Sequence, residues 1–215
     1  MDRNERVDEF SQSNVRNCIR NIGSFNIRTY PNNYFVYKKI ANWLNLKKEN
    51  ILITDGAEGA LLRFMSAFAN VKDKVIYLDP SFGMYKVYCD IFRLRKYPLK
   101  LDMKKNFNFF NQLVEHIKKV RPNIAIIANP NQPIETMLNF NQIKYLCKIA
   151  NKMKFFLVID EAYYHFNNIS AQRYIKKFNN LVVLRTFSKA FGLAGLRIGY
   201  CMSKKKIIDC MQKIK

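Results

Sequence analysis

The chain reads as an α/β protein of three layers, with helices covering both faces of a mostly parallel seven-stranded sheet. Three observations predict this. Seven short strand candidates begin near Ile51, Val75, Arg93, Ile124, Phe155, Leu181 and Arg197. Most are separated by stretches of helical periodicity, an alternation that builds parallel sheets whose crossover helices cover both faces. The residues able to hold a ligand fall just past separate strands, at Gly56, Tyr85, Gln132, Asp160 and Lys189, where open α/β sheets place their sites.

Composition bounds the reading further. With 215 residues, 49% of them hydrophobic, the chain can bury one sizeable core. A net charge of +21 would ordinarily raise a polyanion as partner. The lysines, however, are spread along the whole chain among many Asn, Ile, Phe and Tyr residues, a general bias rather than a binding stripe, so neither nucleic acid nor a membrane is expected as partner. The five cysteines (Cys18, Cys89, Cys147, Cys201, Cys210) are odd in number and lack C-x-x-C spacing, which fits a reduced, cytoplasmic setting. No metal-ligand set is predicted. No apolar run approaches the roughly 20 residues that cross a bilayer, and the N-terminus lacks an apolar leader, so a soluble protein is expected.

Taken in order, residues 1–27 form an arm whose first 24 residues are polar, weakly periodic and irregular in expectation. Arg28-Thr29-Tyr30-Pro31 is a loop step before a helix predicted from Tyr34 to Leu46, with Phe35, Ile40, Trp43 and Leu44 as its apolar positions. Ile51-Leu52-Ile53 then meets Thr54-Asp55-Gly56-Ala57-Glu58-Gly59 and a helical pattern through Phe68. Strand, glycine turn and helix start make an anion site, because free N–H groups and the helix dipole point at the bound charge. The Gly-Lys-Ser/Thr ending of a Walker loop is absent, and a plain βα turn remains open.

The strand Val75–Leu78 ends in Asp79-Pro80-Ser81-Phe82-Gly83-Met84-Tyr85, followed by a helix to about Ile91. An aromatic past a strand end either caps the core or stacks on a flat ligand ring, a contact worth roughly 0.5–1.5 kcal/mol beyond its area burial. Arg93–Leu99 reads as a strand, Phe109–Val120 as an amphipathic helix carrying His116, and Ile124–Ile127 as a buried strand before the turn Asn129-Pro130-Asn131-Gln132-Pro133-Ile134-Glu135. A helix from about Asn141 to Lys152 leads to Phe155–Ile159 and then Asp160-Glu161-Ala162-Tyr163-Tyr164-His165. An acidic residue at the end of a buried strand stands where such sheets contact ligands. His116 and His165 are read as surface or packing residues.

Leu181–Leu184 feeds Arg185-Thr186-Phe187-Ser188-Lys189-Ala190-Phe191-Gly192-Leu193-Ala194-Gly195-Leu196-Arg197-Ile198-Gly199-Tyr200. A side-chain amine reacts with a carbonyl when its surroundings keep part of it unprotonated. Arg197, eight residues beyond Lys189, is a neighbouring cation and a group able to grip phosphate bidentately. Ser188 adds a hydroxyl, and Gly192, Gly195 and Gly199 allow close backbone approach. A solvated lysine in a basic turn stays open on the residues alone. Lys204-Lys205-Lys206 and the stretch to Lys215 read as the start of a helix with a solvated basic face.

The run from Ser188 to Tyr200 closely resembles the lysine segment of pyridoxal-phosphate (PLP) aminotransferases of fold type I, histidinol-phosphate aminotransferases in particular. The resemblance covers roughly residues 28–215 and implies the PLP-binding large domain, with the C-terminal small domain missing or truncated. It implies that Lys189 carries the cofactor covalently while Ser188 and Arg197 bind its phosphate together with the backbone amides of Gly56, Ala57 and Glu58. Tyr85 matches the tyrosine that stacks on the pyridine ring, Asp160 the partner of the ring nitrogen, and Tyr163 a donor to the phenolic oxygen. Tyr30 matches a tyrosine that reaches the neighbouring subunit's phosphate, which implies a homodimer. The family's Asn-Pro-x-Asn-Pro-Thr-Gly loop is altered: Gln132 replaces the second asparagine and Ile134-Glu135 the Thr-Gly. Either Gln132 reaches the phenolic oxygen or Asn131 takes over. The implied activity is amino transfer between an amino acid or amino acid phosphate and a 2-oxo acid, within amino acid biosynthesis. The alternatives are decarboxylation of an amino acid phosphate and a catalytically silent domain serving as a basic binding or partner module.

Overall fold

The computed structural model describes residues 4–6, 9–23, 28–101 and 109–214. Strands β1 (Ile51–Thr54), β2 (Lys74–Asp79), β3 (Arg95–Lys100), β4 (Ile124–Ala128), β5 (Phe156–Asp160), β6 (Leu181–Thr186) and β7 (Gly199–Ser203) form one sheet in the order β1-β7-β6-β5-β4-β2-β3. β7 runs antiparallel to β1 and β6, pairing Leu52 with Cys201 and Val183 with Met202; the remaining pairs are parallel. The start of β7 therefore lies beside the ends of its neighbours, and Gly199 faces both Thr54 and Thr186.

Seven helices are described: α1 (Glu9–Arg20), α2 (Tyr34–Leu44), α3 (Gly56–Phe68), α4 (Met84–Ile91), α5 (Phe109–Val120), α6 (Phe140–Met153) and α7 (Lys205–Gln212). Two apolar clusters flank the sheet, as three layers require. On one face Ile76, Ile127, Ile159 and Val183 pack with Leu44 of α2, Leu113 and Ile117 of α5 and Leu146 of α6. On the other, Val75, Ile126, Val158 and Val182 pack with Leu61 and Phe64 of α3, Cys89 of α4 and Ile208 of α7. Neighbouring strand residues take opposite faces because Cβ atoms alternate, which is why the central strands read as continuous apolar runs. Full burial of one such Leu or Ile contributes about 1.5–3 kcal/mol. β3 lies at the sheet edge, where Pro98 removes no needed ladder bond. Asn139 and Gln142 close the start of α6 with a reciprocal capping box.

Within the expected arm, Glu9–Arg20 is helical as α1. Its side chains from Arg16 to Arg20 are exposed. Residues 1–3, 7–8 and 24–27 of the expected arm lie outside the described residues, as does Lys215. Two strand starts also shift. Arg93 (φ 54°) and Arg197 (φ 50°) both adopt left-handed backbone, which ends the preceding turn and delays β3 to Arg95 and β7 to Gly199.

Candidate active site

A cavity of about 510 Å³ opens at the sheet edge where the parallel strands end, within the range of small-ligand sites. Gly56, Ala57, Glu58, Tyr85, Gln132, Asp160, Tyr163, Ser188, Lys189 and Arg197 all line it. Tyr30, also singled out from sequence, stands apart. It is 101% exposed and does not line the cavity.

The anion-binding side is built by close approach of two segments. Gly56 begins α3 at φ +76°, a conformation that disfavours any side chain. The first N–H groups of an α-helix lack intrahelical partners, and Gly56, Ala57 and Glu58 at the start of α3 line the cavity. Gly199 packs against this turn: a Cβ there would fall 2.4 Å from the Gly56 carbonyl carbon and 2.7 Å from the Arg185 oxygen. The room that Gly199 leaves is thus filled by backbone rather than by a ligand. The same packing lays the Arg197 guanidinium over Gly56, Nη2 lying 3.4 Å from where a Cβ would be. Arg197 Nη2 also lies 3.7 Å from Glu58 Oε2, and the Tyr88 hydroxyl donates to Glu58 Oε1 at 3.3 Å. Burial beside Glu58 pushes the Tyr88 phenol up to about 12. Ser188 is held in place by Thr186, whose Oγ1 accepts from the Ser188 amide (3.1 Å) and donates to its Oγ (2.9 Å).

The floor is formed by Asp160, the last residue of β5. Its Oδ2 accepts from the Tyr85 hydroxyl at 2.7 Å and its Oδ1 from the Ala162 amide at 3.0 Å. Burial raises the Asp160 carboxyl above the usual range, while these two hydrogen bonds and the Lys189 charge oppose the rise. Burial, followed by the Asp160 charge, drives the Tyr85 phenol well up. Tyr85, for which a stacking role was expected, lines the cavity with its ring 0% exposed and its hydroxyl on Asp160. Phe82 is 45% exposed, edge-on to Tyr85 at 5.6 Å, and lines the cavity as well. The sequence does place an aromatic two residues past Pro80, but nothing in the spacing ranks it above the tyrosine.

Gln132 lines the cavity, whereas Asn131 is buried in the loop, its amide donating to the carbonyls of Pro80 (3.2 Å) and Ile134 (2.8 Å). Lys189 stands on the open side, its Nζ donating to the Asn4 carbonyl at 3.2 Å and lying 5.7 Å from the centre of the Tyr163 ring. Asn4 also lines the cavity, which no sequence signal announced.

Behind the floor lies a second polar cluster. Glu161 Oε2 accepts from Arg185 Nε at 2.9 Å, with both side chains buried. Ser170 Oγ donates to Glu161 and accepts from Arg185 Nη2 at 2.8 Å, and the Ala171 amide donates to Glu161 at 2.6 Å. The Arg185 guanidinium lies 3.6 Å over the Tyr164 ring. This cluster ties the end of β5 to that of β6, fixing Asp160 relative to the lysine loop. The two histidines serve packing: His116 Nε2 meets the Tyr97 carbonyl at 3.0 Å, and His165 stacks on Trp43 at 5.8 Å.

The family model for "Aminotransferase class I and II" matches residues 4–215. The chain belongs to this aminotransferase family. A histidinol-phosphate aminotransferase of Caldanaerobacter subterraneus subsp. tengcongensis is 30% identical over 217 residues, spanning 100% of this chain and 61% of the relative. The crystal structure of the histidinol-phosphate aminotransferase from Clostridium acetobutylicum superposes with TM-score 0.79 at 26% identity, covering 100% of this chain and 63% of that one. A histidinol-phosphate aminotransferase from Sinorhizobium meliloti, solved in complex with pyridoxal-5'-phosphate, has TM-score 0.80 at 20% identity, covering 99% and 58%. The chain thus spans about three fifths of the length of the aminotransferases it matches. Among the described residues, no helix is long and apolar enough to cross a membrane.

Proposed function

We propose that the chain binds pyridoxal phosphate at this cavity and is an aminotransferase of the histidinol-phosphate aminotransferase type, moving an amino group from an amino acid or amino acid phosphate to a 2-oxo acid. The observation that carries the reading is the convergence on one cavity of an amine (Lys189), a buried carboxylate (Asp160) and a helix N-terminus with an arginine beside it (Gly56, Arg197). Each complements a different part of one small molecule.

The residues present fit that cofactor. The amides at the start of α3, the Ser188 hydroxyl and the Arg197 guanidinium form a set of donors for a phosphate. Asp160 is a carboxylate acceptor for a protonated ring nitrogen, and the Tyr85 hydroxyl holds it in orientation. Gln132 and Tyr163 are donors for a phenolic oxygen, and Phe82 presents an exposed ring face. When bound, pyridoxal phosphate supplies an aldehyde that condenses with amines and a charged ring that draws electrons from the substrate. Lys189 carries the covalent link and afterwards, as a free amine, moves the substrate proton as a general base and acid. Tyr30, fully exposed and outside the cavity, would serve the site of a second copy in a homodimer.

Assay of amino transfer from candidate donors to 2-oxo acids, with carbon dioxide measured in parallel, tests the reaction. Labelled amino product that disappears in Lys189→Ala supports it. Carbon dioxide release without amino transfer would replace it with a decarboxylase, and binding of pyridoxal phosphate unchanged by Lys189→Ala would remove the site assignment.

A further inference from the structure

Asn4 makes contacts that neither the fold nor the proposed reaction explains. Its side-chain Nδ2 donates to the Tyr163 hydroxyl at 2.7 Å, and its backbone carbonyl accepts from Lys189 Nζ at 3.2 Å. Two residues on, Arg6 Nη1 donates to the Ala190 carbonyl at 3.0 Å, fastening the same short segment to the lysine loop. One residue near the start of the chain therefore touches two groups of the cavity that are remote from it in sequence. We infer that Asn4 is a positioning residue of the lysine site, setting the direction of the Tyr163 hydroxyl proton and restraining the Lys189 amine until a ligand displaces it.

A tyrosine hydroxyl has one proton and two acceptor sites, and an ammonium has donors only. With Asn4 Nδ2 filling an acceptor site of Tyr163, the tyrosine proton is aimed elsewhere, and the hydroxyl meets an incoming oxygen as a donor. The Asn4 carbonyl accepts a proton of Lys189, an interaction available to the ammonium and weakened once the nitrogen becomes the nucleophile. The side-chain bond to Tyr163 and the Arg6 bond to Ala190 keep that carbonyl in place. The segment thus restrains the lysine beside a tyrosine already oriented to donate.

The inference rests on the reading of Lys189 as the reacting amine, and its test is chosen to stand apart from cofactor chemistry. Cofactor-free full-length chain is treated with trace acetic anhydride at fixed pH, and acetylation of Lys189 is measured by mass spectrometry relative to exposed Lys118. Asn4→Ala, which removes the Tyr163 bond, is expected to raise the Lys189 rate relative to Lys118 by roughly 2–12-fold, the range for one hydrogen bond. Deleting residues 2–6 is expected to raise it at least as much, whereas Asn4→Asp, which keeps a bond to the Tyr163 hydroxyl and adds a carboxylate near the ammonium, is expected to leave it unchanged or lower. A merely structural role would move the melting temperature and leave the ratio of the two lysines alone. An unchanged or slower Lys189 rate in both Asn4→Ala and the deletion overturns the inference. Were the ratio to rise in a chain whose Lys189 never links to pyridoxal phosphate, the positioning role would stand and the proposed function would fall.

Discussion

Among the described residues, two arginine–glutamate pairs stand at the same sheet edge, and they differ in every physical respect but composition. Arg185 and Glu161 meet at 2.9 Å with side chains 2% and 0% exposed, enclosed by Ser170, the Ala171 amide and the Tyr164 ring. Arg197 and Glu58 lie 3.7 Å apart, 54% and 37% exposed, on the rim of the cavity. The first pair cannot exchange partners without stranding a charge in the interior. The second is screened by solvent and held loosely, so Arg197 is free to take another anion. Rigid positioning and ligand exchange are thus divided between two copies of one chemical motif, whose arginines, Arg185 and Arg197, flank the lysine loop.

Breaking the buried pair from one side is expected to have the largest effect. Arg185→Met leaves Glu161 without its cation and should cost roughly 3–5 kcal/mol of stability, read as a fall in melting temperature or as insoluble protein. Arg197→Met should stay within about 0.5 kcal/mol, as exposed substitutions do. Equal losses in the two variants would erase the contrast. Replacing both buried partners, Glu161→Leu with Arg185→Met, should recover most of the stability, because no charge is then left unpaired.

A smaller loss is expected where the rim depends on packing. In Gly199→Ala the added methyl meets the Gly56 backbone at 2.4 Å, an overpacking of about 1–3 kcal/mol. Thermal melts should show that loss, and calorimetric titration with pyridoxal phosphate a weaker affinity, since the displaced turn begins α3. Unchanged affinity would separate Gly199 from the anion site.

Asp160 extends the contrast to the floor, where burial raises its carboxyl above the ordinary value of about 3.9. With the folded-state value raised, the cost of its charge is absent below the unfolded value and sets in as pH rises through the folded one. Asp160→Asn should therefore melt higher than the parent, by a margin that grows with pH through that window and then levels off. Pyridoxal phosphate should bind it more weakly. A margin that shrinks as pH rises would mean that the folded protein favours the charged form of Asp160 instead.

The smallest effect is expected at the rim pair itself. Glu58→Gln removes the carboxylate that competes for Arg197 and should tighten inorganic phosphate by roughly 1.5–5-fold, the range for an exposed ion pair. Weaker phosphate binding in this variant would mean that Glu58 holds Arg197 in place instead.

Much of this was readable from the residues because the strands are short apolar runs and the ligand groups follow them directly. Asp160 and Lys189 stand at strand ends in the sequence as in space. What escaped reading has identifiable causes. In α1 the side chains from Arg16 to Arg20 are exposed, so that stretch shows no apolar period. Whether the tyrosine or the phenylalanine of Ser81-Phe82-Gly83-Met84-Tyr85 presents its ring depends on the turn that leads into α4, Phe82 lying before the helix and Tyr85 within it, which spacing does not encode. Likewise, Asn131 and Gln132 are both amides in one turn, and only the backbone path sends one into the loop and the other to the cavity. Asn4 acts across more than 150 residues of chain, and contacts of that span leave no local pattern.

The most direct test of Lys189 as the reacting amine is to incubate the full chain with pyridoxal phosphate, reduce it with borohydride and map the modified peptides. A single dominant adduct on Lys189 is expected, formed at low cofactor concentration and blocked by excess inorganic phosphate. Adducts scattered over the exposed lysines, with Lys189 no more modified than the rest, would contradict that role.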